Sequence, residues 1–341
     1  MLKLLRSKRI FSIIIPVYNG EKTIERTLAS LVSNKEYIKE VVIIDDCSTD
    51  NTSNIIRRFE NCGFFDIKYR RNENRIGPGP SRGIGINNAS GKWITFVDAD
   101  DCLTASSLRY VYDNVVDRDE LVLLHTQSIY YESGTFNSDN VDFSDTSCGG
   151  NFYLRKYLVD NSLFPSDELF MCEDEYFNEK VISYIYYIDG LEESIDHYCY
   201  PVYEVHHDID DGLSFALDNW ADYCCKYHLL YKQLLVDDYI SINHMYYPLL
   251  LDYMNNFIFC YFLLQGLEKD DDIDFNKDDY IKYYSDAILY FEKTFNLDRD
   301  FLIQHFYGDE DNVGLLFACS ISSVGFAFDS EYNFKDFVNS L

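Results

Sequence analysis

Apolar runs alternate with helical periodicity along the first hundred residues of the chain. The unbroken runs lie at Phe11–Val17, 41–44 and Trp93–Phe96. After the first run, Ile24, Leu28 and Leu31 recur at the spacing of one helix face. Unbroken runs are typical of strands that are buried on both faces of a parallel sheet, and their alternation with helices indicates βαβ units. The pattern predicts an α/β fold with a parallel sheet in residues 11–101.

The pattern beyond these runs is less regular. It predicts a short strand at 67–69, a helix at 104–116, a strand at 121–131 and a loop at 137–150. The Gly- and Pro-rich segment 77–83 is expected to form a loop that opens into a short helix, with Pro78 and Pro80 stiffening the loop. After about residue 213, aromatic and aliphatic residues mix with Asp and Lys at helical spacing. This texture predicts a helical C-terminal subdomain at 214–341.

An acidic segment follows the run at Trp93–Phe96. Residues 97–101, Val-Asp-Ala-Asp-Asp, place three carboxylates where a buried strand should end, and open α/β sheets bind ligands at such ends. Carboxylates without a basic residue among them repel one another unless a cation joins them, and Mg²⁺ and Mn²⁺ prefer oxygen ligands. One interpretation is therefore a metal that holds a phosphate. The other is an acidic turn that caps the helix beginning near Thr104.

Charge and cysteine content narrow the function and its setting. The chain has 341 residues, of which 58 are acidic and 29 basic, and its net charge of −29 repels a phosphate backbone. We therefore expect no nucleic-acid partner. Ten cysteines without C-x-x-C pairs, in a chain that lacks a signal-peptide pattern, predict reduced thiols and a cytoplasmic location.

Two segments bear on contact with a membrane. The chain has no run of about eighteen apolar residues, which a spanning helix needs. The nearest candidate, 245–267, is broken by one Asp and two Asn and is expected to be a buried helix. Residues 1–10 form a basic N-terminal tail in an acidic protein. This tail is either solvated or a peripheral contact with the anionic inner face of the membrane.

Four segments carry a family resemblance. They are I-I-I-P-V-Y-N at 13–19, V-I-I-D-D-C-S-T-D at 42–50, residues 74–94 leading into the aspartates of 98–101, and E-D-E-Y-F at 173–177. Each segment is weak evidence alone, but together and in this order they resemble glycosyltransferase family 2. The resemblance covers roughly residues 11–215 and is strongest up to 103.

The resemblance implies a fold and an activity. The fold is GT-A, a Rossmann-like nucleotide-diphospho-sugar transferase domain at 11–213, with a nucleotide-binding half at 11–103 and an acceptor-side half at 104–213. The activity is metal-dependent inverting transfer of a sugar from a nucleotide-sugar, expected to be a UDP-sugar. The acceptor is expected to be a growing glycan or a lipid-linked sugar, in cell-surface polysaccharide or glycoconjugate synthesis. The resemblance leaves the oligomeric state open.

The resemblance also implies nucleotide contacts in four places. They are Pro16, Val17, Tyr18, Asn19 and Glu21, then Asp45 and Asp46, then Arg82, and finally Asp98 and Ala99. Asp45 and Asp46 would accept hydrogen bonds from the base imide and the ribose, unless they only cap the next helix. Arg82 would be a cation beside the nucleotide or its phosphates, unless it forms a surface salt bridge.

The metal ligand and the catalytic base are implied in the same way. Asp100 would hold Mn²⁺ or Mg²⁺, which would neutralise charge on the leaving diphosphate, and Asp101 would be a support or a helix cap. Asp174 would take the proton from the acceptor hydroxyl, with Glu173 as its neighbour or an acceptor contact. The alternative for Glu173 and Asp174 is an acidic helix start.

Two histidines follow a strand expected near residue 203. His206 or His207 would contact the diphosphate, and the alternative is a structural or exposed histidine. No Cys/His ligand spacing accompanies them, so the sequence gives a zinc site little support.

Two departures from the family pattern affect the nucleotide pocket. Cys47 stands where a glycine is usual, and Gly83 stands where an asparagine is common.

Two other functions are alternatives to sugar transfer. A sugar nucleotidyltransferase needs a glycine-rich, basic signature after the first strand, and this chain lacks one there. A catalytically silent binding or scaffolding module of the same fold is the other alternative.

Overall fold

The computed structural model describes residues 8–132, 135–143, 147–167, 173–185 and 190–207. The predicted helical subdomain at 214–341 and most of the basic tail lie outside these residues. The strands are β1 (Phe11–Val17), β2 (Ile38–Asp45), β3 (Ile67–Arg71), β4 (Trp93–Phe96), β5 (Cys102–Leu103), β6 (Leu123–Glu132), β7 (Thr135–Phe143), β8 (Phe152–Leu154) and β9 (Ile195–His207). The helices are α1 (Ile24–Leu31), α2 (Thr52–Cys62), α3 (Pro78–Asn88), α4 (Ser107–Val115), α5 (Arg155–Asp160) and α6 (Glu173–Ser183). None of these helices combines the length and the apolar character that a bilayer span requires.

The nine strands form one sheet with a parallel and a mixed half. The strand order is β3-β2-β1-β4-β8-β6-β9-β5, with β7 paired to β6. β1 pairs in parallel with β2 and β4, and β2 pairs in parallel with β3. β8 runs antiparallel to β4 and β6, and β5 runs antiparallel to β9. The predicted α/β fold with a parallel sheet in residues 11–101 is confirmed.

The side chains of β1 are divided between two cores, one on each face of the sheet. Ile13 and Ile15 pack with Leu28 of α1 on one face, whereas Ile14 packs with Ile86 of α3 on the other. Because helices cover both faces, every position of β1 is buried. This arrangement explains the unbroken apolar run in the sequence.

Helix α3 begins earlier than predicted. Pro78 and Pro80 lie in its first turn and not in a loop, and proline is tolerated there because the first N–H groups of a helix have no helical acceptor. Gly85 allows this helix to lie directly on β1, since a Cβ at that position would come within 2.3 Å of Ile14 Cγ2. A larger residue at this position would force α3 away from the sheet, and Arg82, which lies on α3, would move with it.

The predicted loop at 137–150 is wrong over its first part. Residues 137–143 belong to β7, which pairs antiparallel with β6 along register pairs that include Phe143 with Gln127. The segment T-F-N-S-D-N-V-D-F lacks the strict alternation of a half-buried strand. Its strand conformation comes from the backbone ladder to β6, which a polar sequence does not reveal.

Candidate active site

The carboxyl ends of β1 and β2 meet at one edge of the sheet, and their loops are tied together. The Asp46 N–H donates to the Val17 carbonyl at 2.7 Å. The Asn19 N–H donates to Ser48 Oγ at 2.9 Å, and Asn19 Oδ1 accepts from a backbone N–H of the second loop at 2.8 Å. The two segments that were predicted to contact the nucleotide therefore form one surface at this edge.

The residues at the end of β1 differ sharply in exposure. Pro16 and Val17 are buried in the strand, whereas Tyr18 and Asn19 are exposed in the loop. The guanidinium carbon of Arg75 lies 3.9 Å from the centre of the Tyr18 ring, which is a cation–π contact. The loop therefore presents an aromatic ring backed by a positive charge, while Pro16 and Val17 offer only backbone.

Helix α1 and the turn before it are tied to two neighbouring loops. In the turn, the Glu21 carboxylate accepts from the Asn51 N–H at 3.0 Å, and the Glu21 N–H donates to Asp50 Oδ2 at 2.9 Å. On the helix, Thr27 Oγ1 donates to the Ala99 carbonyl at 2.8 Å. Glu21 and Ala99, both predicted nucleotide contacts, thus take part in the links to the loops after β2 and β4.

The Asp46 carboxylate organises the loop before α3. It accepts hydrogen bonds from Asn72 Nδ2 at 2.9 Å, the Ile76 N–H at 2.9 Å and the Gly77 N–H at 2.8 Å. A carboxylate can accept about four hydrogen bonds, so these three leave limited capacity for a ligand. The contact of Asp46 with a nucleotide stays a prediction.

Asp45 is fully buried and holds the turn that follows β2. It accepts from the Ser48 N–H at 2.7 Å and from the Tyr69 hydroxyl at 2.6 Å. Burial and the Asp45 carboxylate raise the pKa of Tyr69, so the phenol stays protonated and donates. Cys47 lies in this turn with φ of +72°, the left-handed region that favours glycine. This geometry explains why a glycine suits the position.

Arg82 joins two acidic segments that are far apart in the sequence. It lies on α3 and is buried, 16 positions from Asp98 and 91 positions from Glu173. Its Nη2 donates to Asp98 Oδ1 at 2.6 Å, and its Nη1 donates to Glu173 Oε1. One guanidinium thus connects the loop after β4 with the first residue of α6. The surface salt bridge considered for Arg82 is excluded, because the side chain is buried.

The electrostatics of this cluster are set by burial and by charge. Burial raises the pKa of Glu173 to about 7, against the lowering effect of the Arg82 guanidinium. Burial works to lower the pKa of Arg82, but Asp98 and the other neighbouring negative groups offset it and raise the pKa well above its usual value. Arg82 is therefore a permanent cation, and Glu173 is a carboxyl group that can change its protonation near neutral pH.

Asp101 is held from β9 and acts as a support. The Tyr203 hydroxyl donates to its Oδ2 at 2.7 Å and accepts from the Asp98 N–H at 3.1 Å. The His206 N–H donates to its Oδ1 at 2.9 Å. Tyr203 packs closely on Gly150, where a Cβ would lie 2.6 Å from Tyr203 Cβ and φ is +75°. Tyr203 is not predicted as a site residue, because an aromatic residue in an apolar strand gives no functional signal.

Asp98 and Asp100 have the donor chemistry of a hard cation site. The Asp98 side chain is 38% exposed beside its contact with Arg82, and Asp100 is exposed at the end of the same loop. Arg26 Nη2 donates to the Asp100 carbonyl at 2.6 Å and thereby fixes the backbone. Carboxylate oxygens are the ligands that Mg²⁺ and Mn²⁺ prefer, so this pair fits the implied metal. Both carboxylate oxygens of the buried Asp101 already accept hydrogen bonds from β9, so Asp101 is a support and not a metal ligand.

The remaining predicted site residues lie on α6 and β9. Asp174 follows Glu173 at the start of α6 and is partly exposed. The first-turn position suits both acids, because a helix N-terminus favours negative charge. His206 stacks on Tyr131 of β6 at 4.7 Å with an interplanar angle of 6°. The backbone of His207 pairs with β6 at the end of the β6–β9 ladder. Contact of either histidine with a diphosphate stays a prediction.

The sheet has the architecture of a GT-A domain. The carboxyl edge of its parallel half bears the Asp98–Asp101 loop. The part of the chain that forms its mixed half also contains α6, which begins with two acidic residues. Residues 12–179 match the family described as "Glycosyl transferase family 2". This region of the chain belongs to glycosyltransferase family 2. The resemblance in the sequence is thereby confirmed.

Two curated relatives are named for poly(ribitol phosphate) and for teichoic acid biosynthesis. The poly(ribitol-phosphate) β-N-acetylglucosaminyltransferase TarS of Staphylococcus aureus is 31% identical over 187 residues, which cover 50% of this chain and 32% of TarS. The minor teichoic acid biosynthesis protein GgaA of Bacillus subtilis is 32% identical over 196 residues, which cover 51% of this chain and 43% of GgaA. The matched region spans less than half of the length of either relative.

A solved structure supports the fold independently. The crystal structure of residues 1–349 of S. aureus TarS with UDP-GlcNAc aligns with a TM-score of 0.64 at 22% identity, covering 94% of this chain and 93% of that one. The same fragment with UDP aligns with a TM-score of 0.56 at 20% identity. At this level of identity the likeness establishes the GT-A fold.

Proposed function

We propose that this protein is a metal-dependent inverting glycosyltransferase that moves a sugar from a UDP-sugar to a glycan or lipid-linked acceptor during cell-surface polysaccharide or glycoconjugate synthesis. The observation that carries the proposal is the Arg82 bridge. It links Asp98, on the predicted donor side, to Glu173, beside the predicted base. Donor binding and proton removal must occur within a few ångströms of each other, and this bridge holds the two acidic segments together.

The donor side uses the loops after β1, β2 and β4. The exposed Tyr18 ring, backed by Arg75, offers a face for a nucleobase. Asp45 and Asp46 shape the loops around it, and their remaining acceptor capacity would serve the base and the ribose. Asp98 and Ala99 contact the ribose or the donor sugar. The TarS fragment bound to UDP-GlcNAc supports a UDP-sugar as the donor class.

Asp100 would hold Mn²⁺ or Mg²⁺, which when bound supplies neutralisation of the leaving diphosphate. His206 and His207 are further candidates for contact with this group. Arg82 keeps Asp98 in place and adds positive charge behind it. Asp174 accepts the proton of the acceptor hydroxyl as the hydroxyl oxygen attacks the anomeric carbon opposite the leaving nucleotide. Glu173, fixed by Arg82, positions the start of α6 and thereby Asp174.

The acceptor class is supported by the relatives. TarS is named for poly(ribitol phosphate), and GgaA is named for minor teichoic acid biosynthesis. Both names point to polymers of the cell surface. We therefore include poly(ribitol phosphate) among the acceptors to be tested, beside lipid-linked sugars.

The test combines donor binding with turnover. A panel of UDP- and GDP-sugars, each with Mn²⁺ or Mg²⁺, is screened for thermal stabilisation of the full chain and for release of the nucleoside diphosphate with and without acceptor. Asp174→Asn is expected to lower transfer by about 10²- to 10⁴-fold while UDP binding stays within about twofold. Asp113→Asn, at an exposed position of α4, is the matched control and should transfer as the wild type does.

Three outcomes would count against the proposal. If no nucleoside diphosphate stabilised the chain, the donor site would be wrong. Loss of UDP binding in Asp174→Asn would give Asp174 a structural role. Donor binding without hydrolysis or transfer, on every acceptor tested, would favour a catalytically silent module.

A further inference from the structure

Three metal-binding side chains that are distant in the sequence meet beside the Asp101 support. β5 and β9 pair antiparallel, with Cys102 opposite Glu204. His206 lies two positions after Glu204, so both side chains lie on the same face of β9. One ligand atom from each of Cys102, Glu204 and His206 lies within 4.8 Å of the other two. The register of the sheet therefore creates a cluster that linear spacing does not reveal.

The geometry of this cluster is close to that of a tetrahedral site. Zn–S and Zn–N bonds of about 2.3 and 2.0–2.1 Å separate neighbouring ligand atoms by roughly 3.3–3.6 Å. His206 Nε2 and Glu204 Oε2 already lie 3.5 Å apart. The upper bound of 4.8 Å within the cluster exceeds this range by about 1 Å, so the sulfur must move by at most about that distance to complete the site.

The donor set selects the metal. A thiolate, an imidazole and a carboxylate are all zinc ligands, whereas Mg²⁺ and Mn²⁺ favour sites made of oxygen. Burial raises the pKa of the Cys102 thiol to about 11, so a bound dication would displace the thiol proton. The resulting thiolate and the Glu204 carboxylate would together carry two negative charges, which match the dication. Three protein ligands leave a fourth position for water or another group, as in open zinc sites.

The surroundings hold the ligands in place. Cys102 is buried, and the Glu204 and His206 side chains are only 22% and 12% exposed. The His206 ring stacks on Tyr131, and its backbone N–H is fixed by Asp101. Ligands on strands, with rotamers restricted by packing and hydrogen bonds, are preorganised for a metal.

We propose that Cys102, Glu204 and His206 form a zinc site, whose ligands differ from the divalent-cation ligand implied at Asp100. The site pins β5 to β9 and thereby stabilises the Asp101 support. It uses Nε2 of His206, so a zinc-bound His206 has no Nε2 available for a diphosphate. This proposal does not depend on the proposed transferase function.

Cobalt is the probe that tests the site in the full chain, since Co²⁺ replaces Zn²⁺ and reports thiolate ligation by a near-ultraviolet charge-transfer band. The chelator-treated wild type should bind one Co²⁺ with this band, and Zn²⁺ should remove it by displacement. Cys102→Ser should lose the band. Cys199→Ser, at an exposed cysteine of β9, is the matched control and should keep it. Asp100→Asn should also keep it.

Three results would overturn the zinc site. They are the absence of a thiolate band in the wild type, its persistence in Cys102→Ser, and its loss in Asp100→Asn, which would move the metal to the aspartate loop. Should Cys102→Ser fail to fold, Glu204→Gln and His206→Gln take its place. Each is expected to weaken Zn²⁺ binding at least about tenfold, and unchanged affinity in both would refute the proposal.

Discussion

Two groups of acidic residues in this domain are held in different ways. Asp45 and Asp46, after β2, accept hydrogen bonds from neutral donors: backbone N–H groups, the Asn72 amide and the Tyr69 hydroxyl. Asp98 and Glu173 instead share a buried guanidinium. Neutral donors spread the stabilisation over several modest bonds. A shared cation concentrates the stabilisation in one side chain. The stabilisation then depends on whether the carboxyl groups beside that cation are protonated.

This difference gives the two groups different roles: Asp45 and Asp46 hold a fixed loop structure, whereas the Arg82 cluster can respond to charge. The hydrogen bonds to Asp46 fix the loop before α3, next to the segments that are predicted to contact a nucleotide. The Arg82 cluster links the loop after β4 to the start of α6, and its charge balance can shift when a charged ligand or a proton arrives.

The largest effect is expected from Arg82→Met. It leaves the Asp98 and Glu173 carboxylates without their cation, so the free energy of unfolding at about pH 8 should fall by about 3–5 kcal/mol. Urea unfolding measures this loss. Arg58→Met, which breaks an exposed ion pair with Glu25 (side chains 62% and 61% exposed), is the control and should change stability by at most about 1 kcal/mol. Equal losses in the two variants would mean that the Arg82 cluster is not a buried ion network.

The next effect is a pH dependence that Glu173 supplies. Its folded pKa of about 7 lies above the ordinary glutamate value, so the folded state binds the proton more tightly than the unfolded state. The stability that Glu173 contributes is therefore full below about pH 4 and is lost as the pH rises through 7. We expect a loss of roughly 3 kcal/mol across this window, since one pKa unit corresponds to about 1.4 kcal/mol.

Glu173→Gln should remove this dependence. Denaturant unfolding of wild type and variant at several pH values between about 4.5 and 8 makes the comparison. The stability difference between them should change with pH in the direction that favours the variant at high pH. A difference that is constant across the range would show that Glu173 does not titrate there.

A smaller effect is expected at Asp46, whose carboxylate is held by neutral donors. Asp46→Asn replaces one acceptor oxygen by an amide NH₂, which faces N–H donors of the loop before α3. The loss of charge-assisted bonds should lower the free energy of unfolding by about 2 kcal/mol, measured by urea unfolding. Asp66→Asn, at an exposed position before β3, should stay within about 0.5 kcal/mol of the wild type. A loss as large as that of Arg82→Met would erase the contrast between the two regions.

The smallest effect concerns Cys47. Its φ of +72° disfavours any side chain by about 1–2 kcal/mol, whereas glycine adds about 0.5–1 kcal/mol of unfolded-state entropy. Cys47→Gly should therefore stabilise the domain by up to about 1 kcal/mol, measured by thermal unfolding. A destabilised variant would mean that the weak contact of Cys47 Sγ with the Glu73 carbonyl outweighs the strain.

The sequence predicted the parallel half of the fold because its signals are local. Runs such as Phe11–Val17 report burial on both faces, and the strand ends mark the acidic loops. It did not predict β7, since a polar strand that depends on its ladder to β6 carries no apolar period. The helical start at Pro78 was missed because proline signals both a loop and a first helical turn.

The candidate site was predictable in its parts and not in its connections. Family motifs identified Asp98, Arg82 and Glu173 separately, but only the fold brings them together through one guanidinium. Tyr203 carries no motif, and its role arises because β9 lies beside the loop that contains Asp101. Contacts between distant strands follow from the strand order of the sheet, which the local pattern of a single sequence does not give.

A double-mutant cycle between Arg82 and Glu173 tests most directly whether the two acidic segments form one site. Unfolding free energies are measured at about pH 8 for the wild type, Arg82→Met, Glu173→Gln and the double variant. A direct bridge predicts a coupling energy of at least about 1 kcal/mol, so that Arg82→Met harms the Glu173→Gln background much less than the wild type. Additivity within about 0.5 kcal/mol would contradict the bridge and, with it, the single site.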